Sequence, residues 1–382
     1  MTTLSRRQSL AALSMTVVGF PQLMRAAAPK AKVKDTRVIS LRPDHYHGWS
    51  TLARRKDGEL LLVCSGGREN HVCPFGQVEL MRSKDGGATW TYPRVLLDSP
   101  IDDRDAGILE TAKGSLLATT FTSNAYDEYY LKKGAHEKWP AERRARWLAA
   151  HQRVPAEARA KELGTWMIRS TDGGVTWSPR YDCLVNSPHG PVNLKDGRLL
   201  YAGKNLWRKD TWIGVCESKD DGQSWQRLAQ IPTRKGDDPK NYHELHAVEA
   251  TNGRLIVHIR NHNSNHAGET LQTESADGGK TWSAPHSIGV WGLPSHLLRL
   301  QDGRLLMSYG HRRKPFGNQA RVSADQGKTW SEPMIISGDG AGGDLGYPTT
   351  VQLDNGSLVT VWYEKLAKSP RAVLRQARWE LG

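Results

Sequence analysis

One eight-residue pattern, S-x-D-x-G-x-[ST]-W, occurs five times in this chain and constrains its fold more than any other feature. It runs from Ser83 to Trp90, Ser170 to Trp177, Ser218 to Trp225, Ser275 to Trp282 and Ser323 to Trp330. An Asp followed by glycine makes a tight turn, with the carboxylate accepting from nearby backbone N–H groups. The closing Trp is placed to pack beneath that turn. Each copy therefore predicts a hairpin tip with its own anchor, and the five copies account for five of the fourteen Trp.

A quieter signal occurs six times: a turn glycine followed by a short apolar strand, at Gly58, Gly114, Gly197, Gly253, Gly303 and Gly356. The intervals are 56, 83, 56, 50 and 53 residues. Four of them suit a four-stranded blade. The reading is an all-β chain, a six-bladed β-propeller over residues 33–382. The last blade lacks the Trp turn, and a strand around Val38-Ile39-Ser40 is expected to complete it. That would close the ring and remove exposed edges. The 83-residue interval holds an insertion in the second blade, about residues 126–163, of helical composition, with Pro140 and Pro155 at helix starts. It is either decoration or a wall over a site.

The same register locates a site. In a propeller the innermost strands line the axis, and their first residues gather at one mouth. Nine residues before each turn glycine stand Trp49, Asp105, Pro188, Glu244, Pro294 and Tyr347. Close by are His47, Arg104, His189, His243, His246 and His296. Structural positions would be mostly apolar, whereas convergent titratable groups in a concavity mark an active site.

The Trp-closed turns are Asp boxes, and with two further segments they resemble the sialidase (neuraminidase) superfamily of Asp-box repeat propellers. Glu244-Leu245-His246-Ala247-Val248-Glu249, leading to Arg260-Asn261, resembles the family segment with the Glu base and one arginine of the carboxylate clamp. Gly346-Tyr347-Pro348-Thr349-Thr350 resembles the nucleophile segment. The resemblance implies Tyr347 as nucleophile and Glu244 as its base, since a phenol with a pKa near 10 needs one at neutral pH. It implies Arg260 and Arg312 (or Arg313) as carboxylate partners.

The first blade departs from the family pattern. His47-Gly48-Trp49-Ser50-Thr51-Leu52 stands where the family has an arginine, and an imidazole does not replace a bidentate guanidinium. The family's acid, an Asp in a first-blade loop, is also absent. Glu69, His71 and Asp105 are the candidates for its role. Arg104, His47, His189, His246 and His296 are expected to line the pocket and bind substrate.

The expected activity is an exo-glycosidase that hydrolyses a terminal acidic sugar, sialic acid or a related carboxylated sugar, from a glycan. Two alternatives stay open. One is a uronic-acid lyase or rhamnosidase-type propeller using His, Tyr and Arg. The other is a glycan-binding propeller without chemistry. No cofactor is expected. His243-x-x-His246 is the best metal pair, and its spacing is weak outside a helix.

The formal net charge of +13 favours anionic partners, here an acidic glycan or oligosaccharide. No basic stripe interleaves with aromatics, which argues against nucleic acid. Cys64, Cys73, Cys183 and Cys216 show no C-x-x-C spacing; Cys64 and Cys73 are near enough to pair, and buried thiols are the alternative. Residues 1–28 read as an export signal, with Arg6-Arg7 of a twin-arginine-like motif, an apolar stretch and Ala26-Ala27-Ala28. A periplasmic or secreted monomer follows, without stable membrane insertion once the signal is removed.

Overall fold

The computed structural model describes residues 29–264 and 266–382. The export-signal reading of residues 1–28 lies outside the described residues. The chain forms six antiparallel four-stranded sheets arranged as a six-bladed propeller. The innermost strands are Tyr46–Arg54, Asp102–Glu110, Val192–Asn193, Tyr242–Glu249, Ser295–Arg299 and Leu345–Gln352. Blades one to five are each built in chain order. In the sixth, the outermost strand is Ala31–Val38, which pairs with Ala372–Leu381 from Ala31 opposite Leu381 to Val38 opposite Arg375. The two ends of the chain thus close the ring, and no blade has to be satisfied alone.

Strands buried on both faces explain the apolar runs after the turn glycines. Leu60, Leu61, Leu62 and Val63 have no exposure, because alternate residues pack against different neighbouring blades. Leu60 and Leu62 share a cluster with Val359, Val361 and Tyr363 of blade six, while Leu61 and Val63 join Ala106, Ile108 and Ala118 of blade two.

Each Asp box connects the third and fourth strands of its blade. In the first, Ser83 Oγ donates to Asp85 Oδ1 (2.7 Å), Gly87 N–H donates to Ser83 Oγ (2.8 Å), and Thr89 Oγ1 donates to Asp85 Oδ2 (2.6 Å). Some of the Trp anchors reach the preceding blade. Trp90 Nε1 donates to Gln376 (3.0 Å) and Trp330 Nε1 to Gln272 (2.9 Å).

The insertion leaves blade two after Leu116–Ser123 and returns at Thr165–Ser170. It carries two short helical turns, then α1 (Ala141–Gln152) and α2 (Ala156–Glu162), with Pro140 and Pro155 at their N-caps. Its packing centre is Trp147, fully buried with Tyr126 and with Cys73 from the first-blade loop. All four cysteines are free and buried, so Cys64 and Cys73 are not bridged. Among the described residues no helix is long and apolar enough to cross a membrane.

Candidate active site

Four of the six register residues share an unusual backbone. Trp49, Asp105, Glu244 and Tyr347 have φ of 52°, 49°, 45° and 56°, in the left-handed region that non-glycine residues avoid. In each of these strands the pairing shifts at that point, between Gly48 and Thr51, Arg104 and Gly107, His243 and His246, and Gly346 and Thr349. A bulge of this kind re-aims a side chain, and its backbone cost is borne by the surrounding sheet. The other two blades differ. Pro294 stands directly before Ser295–Arg299, and Pro188 stands four residues before the short strand Val192–Asn193.

The bulges bring a charged cluster to the mouth. Tyr347 O–H donates a short hydrogen bond to Glu244 Oε1. Arg260 Nη1 donates to Glu244 Oε2 and to the Tyr347 oxygen (3.2 Å). Burial pushes the Glu244 carboxyl up, but Arg260, the Tyr347 hydrogen bond and Arg312 outweigh it and hold the group below its ordinary value. Asp105 goes the other way. Burial and then the Glu244 charge push it up to about 7, against the pull of Arg104 and Arg260. Burial, Glu244 and Asp105 raise the Tyr347 phenol well above 10. Two carboxyl groups in one mouth are therefore driven apart, Glu244 below its ordinary value and Asp105 up to about 7, which is the pattern of a base and an acid. Arg312 lies with its guanidinium 6.0 Å from the Tyr347 ring centre and its Nε bonded to the Leu345 carbonyl (2.9 Å).

Comparison with known proteins places the chain in a family. The family model of the BNR repeat-like domain matches residues 129–360. This chain belongs to the sialidase/BNR-repeat superfamily. A curated sialidase of Bacteroides fragilis is 26% identical over 225 residues, covering 55% of this chain and 38% of that protein. One of Paraclostridium sordellii is 23% identical over 256 residues, covering 59% and 54%. The matched regions thus span about half or less of those relatives' own length. Among solved structures, a protein of unknown function from Dyadobacter fermentans superposes with a TM-score of 0.71 at 24% identity, covering 92% of this chain and 99% of that one. The intramolecular trans-sialidase of Ruminococcus gnavus gives 0.61 at 13% identity, covering 88% and 94%. These likenesses establish the propeller fold.

Against the sialidase pattern, the first blade is rebuilt. Trp49 is buried, with the guanidinium of Arg104 4.1 Å from its ring centre and that of Arg68 4.7 Å away. Arg68 is fully buried and paired two-fold with Asp102 (2.5 and 3.0 Å), so it is committed to structure. Arg104 stands at the mouth, bonded to Asp102 and to the His71 carbonyl (3.0 Å).

Several sequence expectations need correction. Glu69 is bonded to Arg146 Nε (2.5 Å) and Trp147 Nε1 (2.9 Å), both on α1. Its carboxylate anchors the insertion and is taken up by that contact. His47 does not line the mouth. Strand alternation turns Tyr46 toward Asp344, while His47 is buried 3.9 Å from Glu79 within the blade, where burial lowers it to about 4. His189, His246 and His296 form a packed floor rather than pocket walls. Their ring centres are 4.6 to 5.3 Å apart, and His189 lies 6.5 Å from the Tyr347 ring. Burial holds all three neutral, well below 6.5. His243 and His246 part company across the bulge, since His243 meets His262 instead (4.8 Å). Of Arg312 and Arg313, the two alternatives for a carboxylate partner, Arg312 faces Tyr347 and Arg313 stacks on Trp291.

One grouping was missed. Tyr46 O–H donates to Asp344 Oδ1 (2.8 Å) and lies 2.7 Å from His71 Nδ1, which is itself 3.2 Å from Asp344. The His71 ring is also edge-on to Trp49, 5.0 Å between centres. A signal existed: Tyr46, Asp102 and Asp344 each stand three residues before a bulge residue.

Proposed function

We propose that this chain is a sialidase-like exo-glycosidase that hydrolyses a terminal acidic sugar with retention. The observation that carries the reading is the Tyr347–Glu244–Arg260 contact, with Asp105 at the same register pushed up to about 7. Tyr347 attacks the anomeric carbon as Glu244 takes its proton. The raised phenol pKa means that the proton leaves only as the bond forms, so the resting site carries no tyrosinate to repel the substrate carboxylate. Asp105, its carboxyl pushed up to about 7 and so still carrying a proton in much of the population at neutral pH, donates that proton to the leaving oxygen. As a carboxylate it then activates the water that cleaves the tyrosyl-glycoside. Arg312, Arg260 and Arg104 offer the cationic surroundings for the sugar carboxylate. Export of the enzyme would place it among extracellular glycans.

The test is turnover by Tyr347→Phe and Glu244→Gln on sialosides and uronate glycosides, with folding checked by circular dichroism. Both variants should lose activity and stay folded. Full activity in either would overturn the assignment. Ultraviolet absorbance of the products separates hydrolysis from a lyase, which leaves an unsaturated uronate.

A further inference from the structure

A second recess lies on the same face, between blades four and five. It is a cleft of about 170 Å³ lined by Trp291, Arg312 and Arg313 together with Gly268, Gly292 and Gly310. Its residues come from the loop after Leu255–Asn261, the end of His286–Trp291 and the loop after Leu305–His311. In a propeller of this topology those segments surround the mouth that holds Tyr347. Arg312 belongs to both places, because its guanidinium lies 6.0 Å from the Tyr347 ring and also walls the cleft.

The cleft has the makings of a sugar site. Trp291 is 40% exposed, so part of its indole is open to a ligand in the cleft. Three glycines leave backbone rather than side chains along the wall. The Arg313 guanidinium lies 3.4 Å from the Trp291 ring centre. Stacking of this kind uses the face of the guanidinium and leaves its in-plane N–H groups free for a planar anion. Among the described residues Arg313 and Lys314 make no ion pair. An arginine oriented by an indole, without a carboxylate of its own, beside an arginine already facing the reaction centre, gives two adjacent cationic positions.

From this we infer that the cleft is a leaving-group subsite for a second carboxylated sugar. Trp291 supplies the apolar face and Arg313 the bidentate partner. The substrate class is then an acidic oligosaccharide with at least two neighbouring charged units, and the terminal one sits over Tyr347. The inference rests on the glycosidase reading for its orientation, but not for its binding chemistry.

The experiment measures binding to Tyr347→Phe by calorimetry, so that chemistry does not intervene. The probes are oligosaccharide pairs that share a terminal acidic sugar. In one member the next unit is acidic (α2,8-linked disialic acid, a digalacturonide); in the other it is a neutral hexose. The acidic member should bind about tenfold tighter or more at low salt, the scale of one charge-assisted contact. Arg313→Ala and Trp291→Ala should each erase that preference, and Arg313→Glu should reverse it. Equal binding of both members, no binding of either, or a preference that survives all three variants would overturn the subsite. If Tyr347→Phe retains turnover, the nucleophile assignment fails, while the preference still stands or falls on its own.

Discussion

Replacing Asp105 by Asn tests the acid assignment through stability as well as rate. The buried Asp105 carboxyl is pushed from 3.8 to about 7, first by burial and then by Glu244. Because the folded pKa is the higher one, the native state binds the proton more tightly than the unfolded chain. The stabilisation is complete below 3.8, shrinks as pH rises, and is gone above about 7. The difference amounts to about 4 kcal/mol. Asn keeps the shape and tolerates the left-handed backbone at this position. Asp105→Asn should therefore match the wild type near pH 4 and exceed it by up to about 4 kcal/mol at pH 8, measured by urea unfolding at both pH values. The activity profile supplies a second readout. Wild-type turnover should fall tenfold per pH unit above about 7 as the acid is lost. In the variant that limb should disappear, with the rate lowered by about 10²–10⁴. A stability difference independent of pH, or an alkaline limb unchanged in the variant, would refute the reasoning.

Two further substitutions probe the scaffold around the site. Arg68→Met leaves the buried Asp102 with only its longer contact to Arg104 (3.3 Å), which should cost about 3 kcal/mol in denaturant unfolding; adding Asp102→Leu should recover part of the loss. Trp147→Ala empties the centre of the insertion and should destabilise it by about 3–5 kcal/mol. Hydrogen exchange should then quicken in residues 69–76, the loop that Glu69 ties to α1, while the Asp-box hairpins keep their protection.

The repeat register made the fold legible, and it made part of the site legible too. Tyr347, Glu244 and Asp105 were found by counting back from turn glycines, because a propeller converts equal sequence offsets into one spatial ring. The count worked best where the strand bulges. It told less in the third and fifth blades, where the register residue, Pro188 or Pro294, lies outside the innermost strand. The insertion was visible as an irregular interval, but its contact was not. Nothing local in Glu69 reveals that Arg146 and Trp147, nearly eighty residues on, would claim its carboxylate.

Spacing by itself determined the six blades, the closing of the ring and the gathering of Tyr347 and Glu244 at one mouth, since each depends on periodic turns and strands; their pairing was what the family resemblance implied. The tertiary structure decided which neighbours of the register residues face the mouth. Strand alternation sent Tyr46 to Asp344 and buried His47 against Glu79, and ring stacking made His189, His246 and His296 a neutral floor. It also decided the charge states. Asp105 and Glu244 are both buried carboxylates at the same register; burial and the Glu244 charge push Asp105 up to about 7, while Arg260, the Tyr347 hydrogen bond and Arg312 hold Glu244 below its ordinary value.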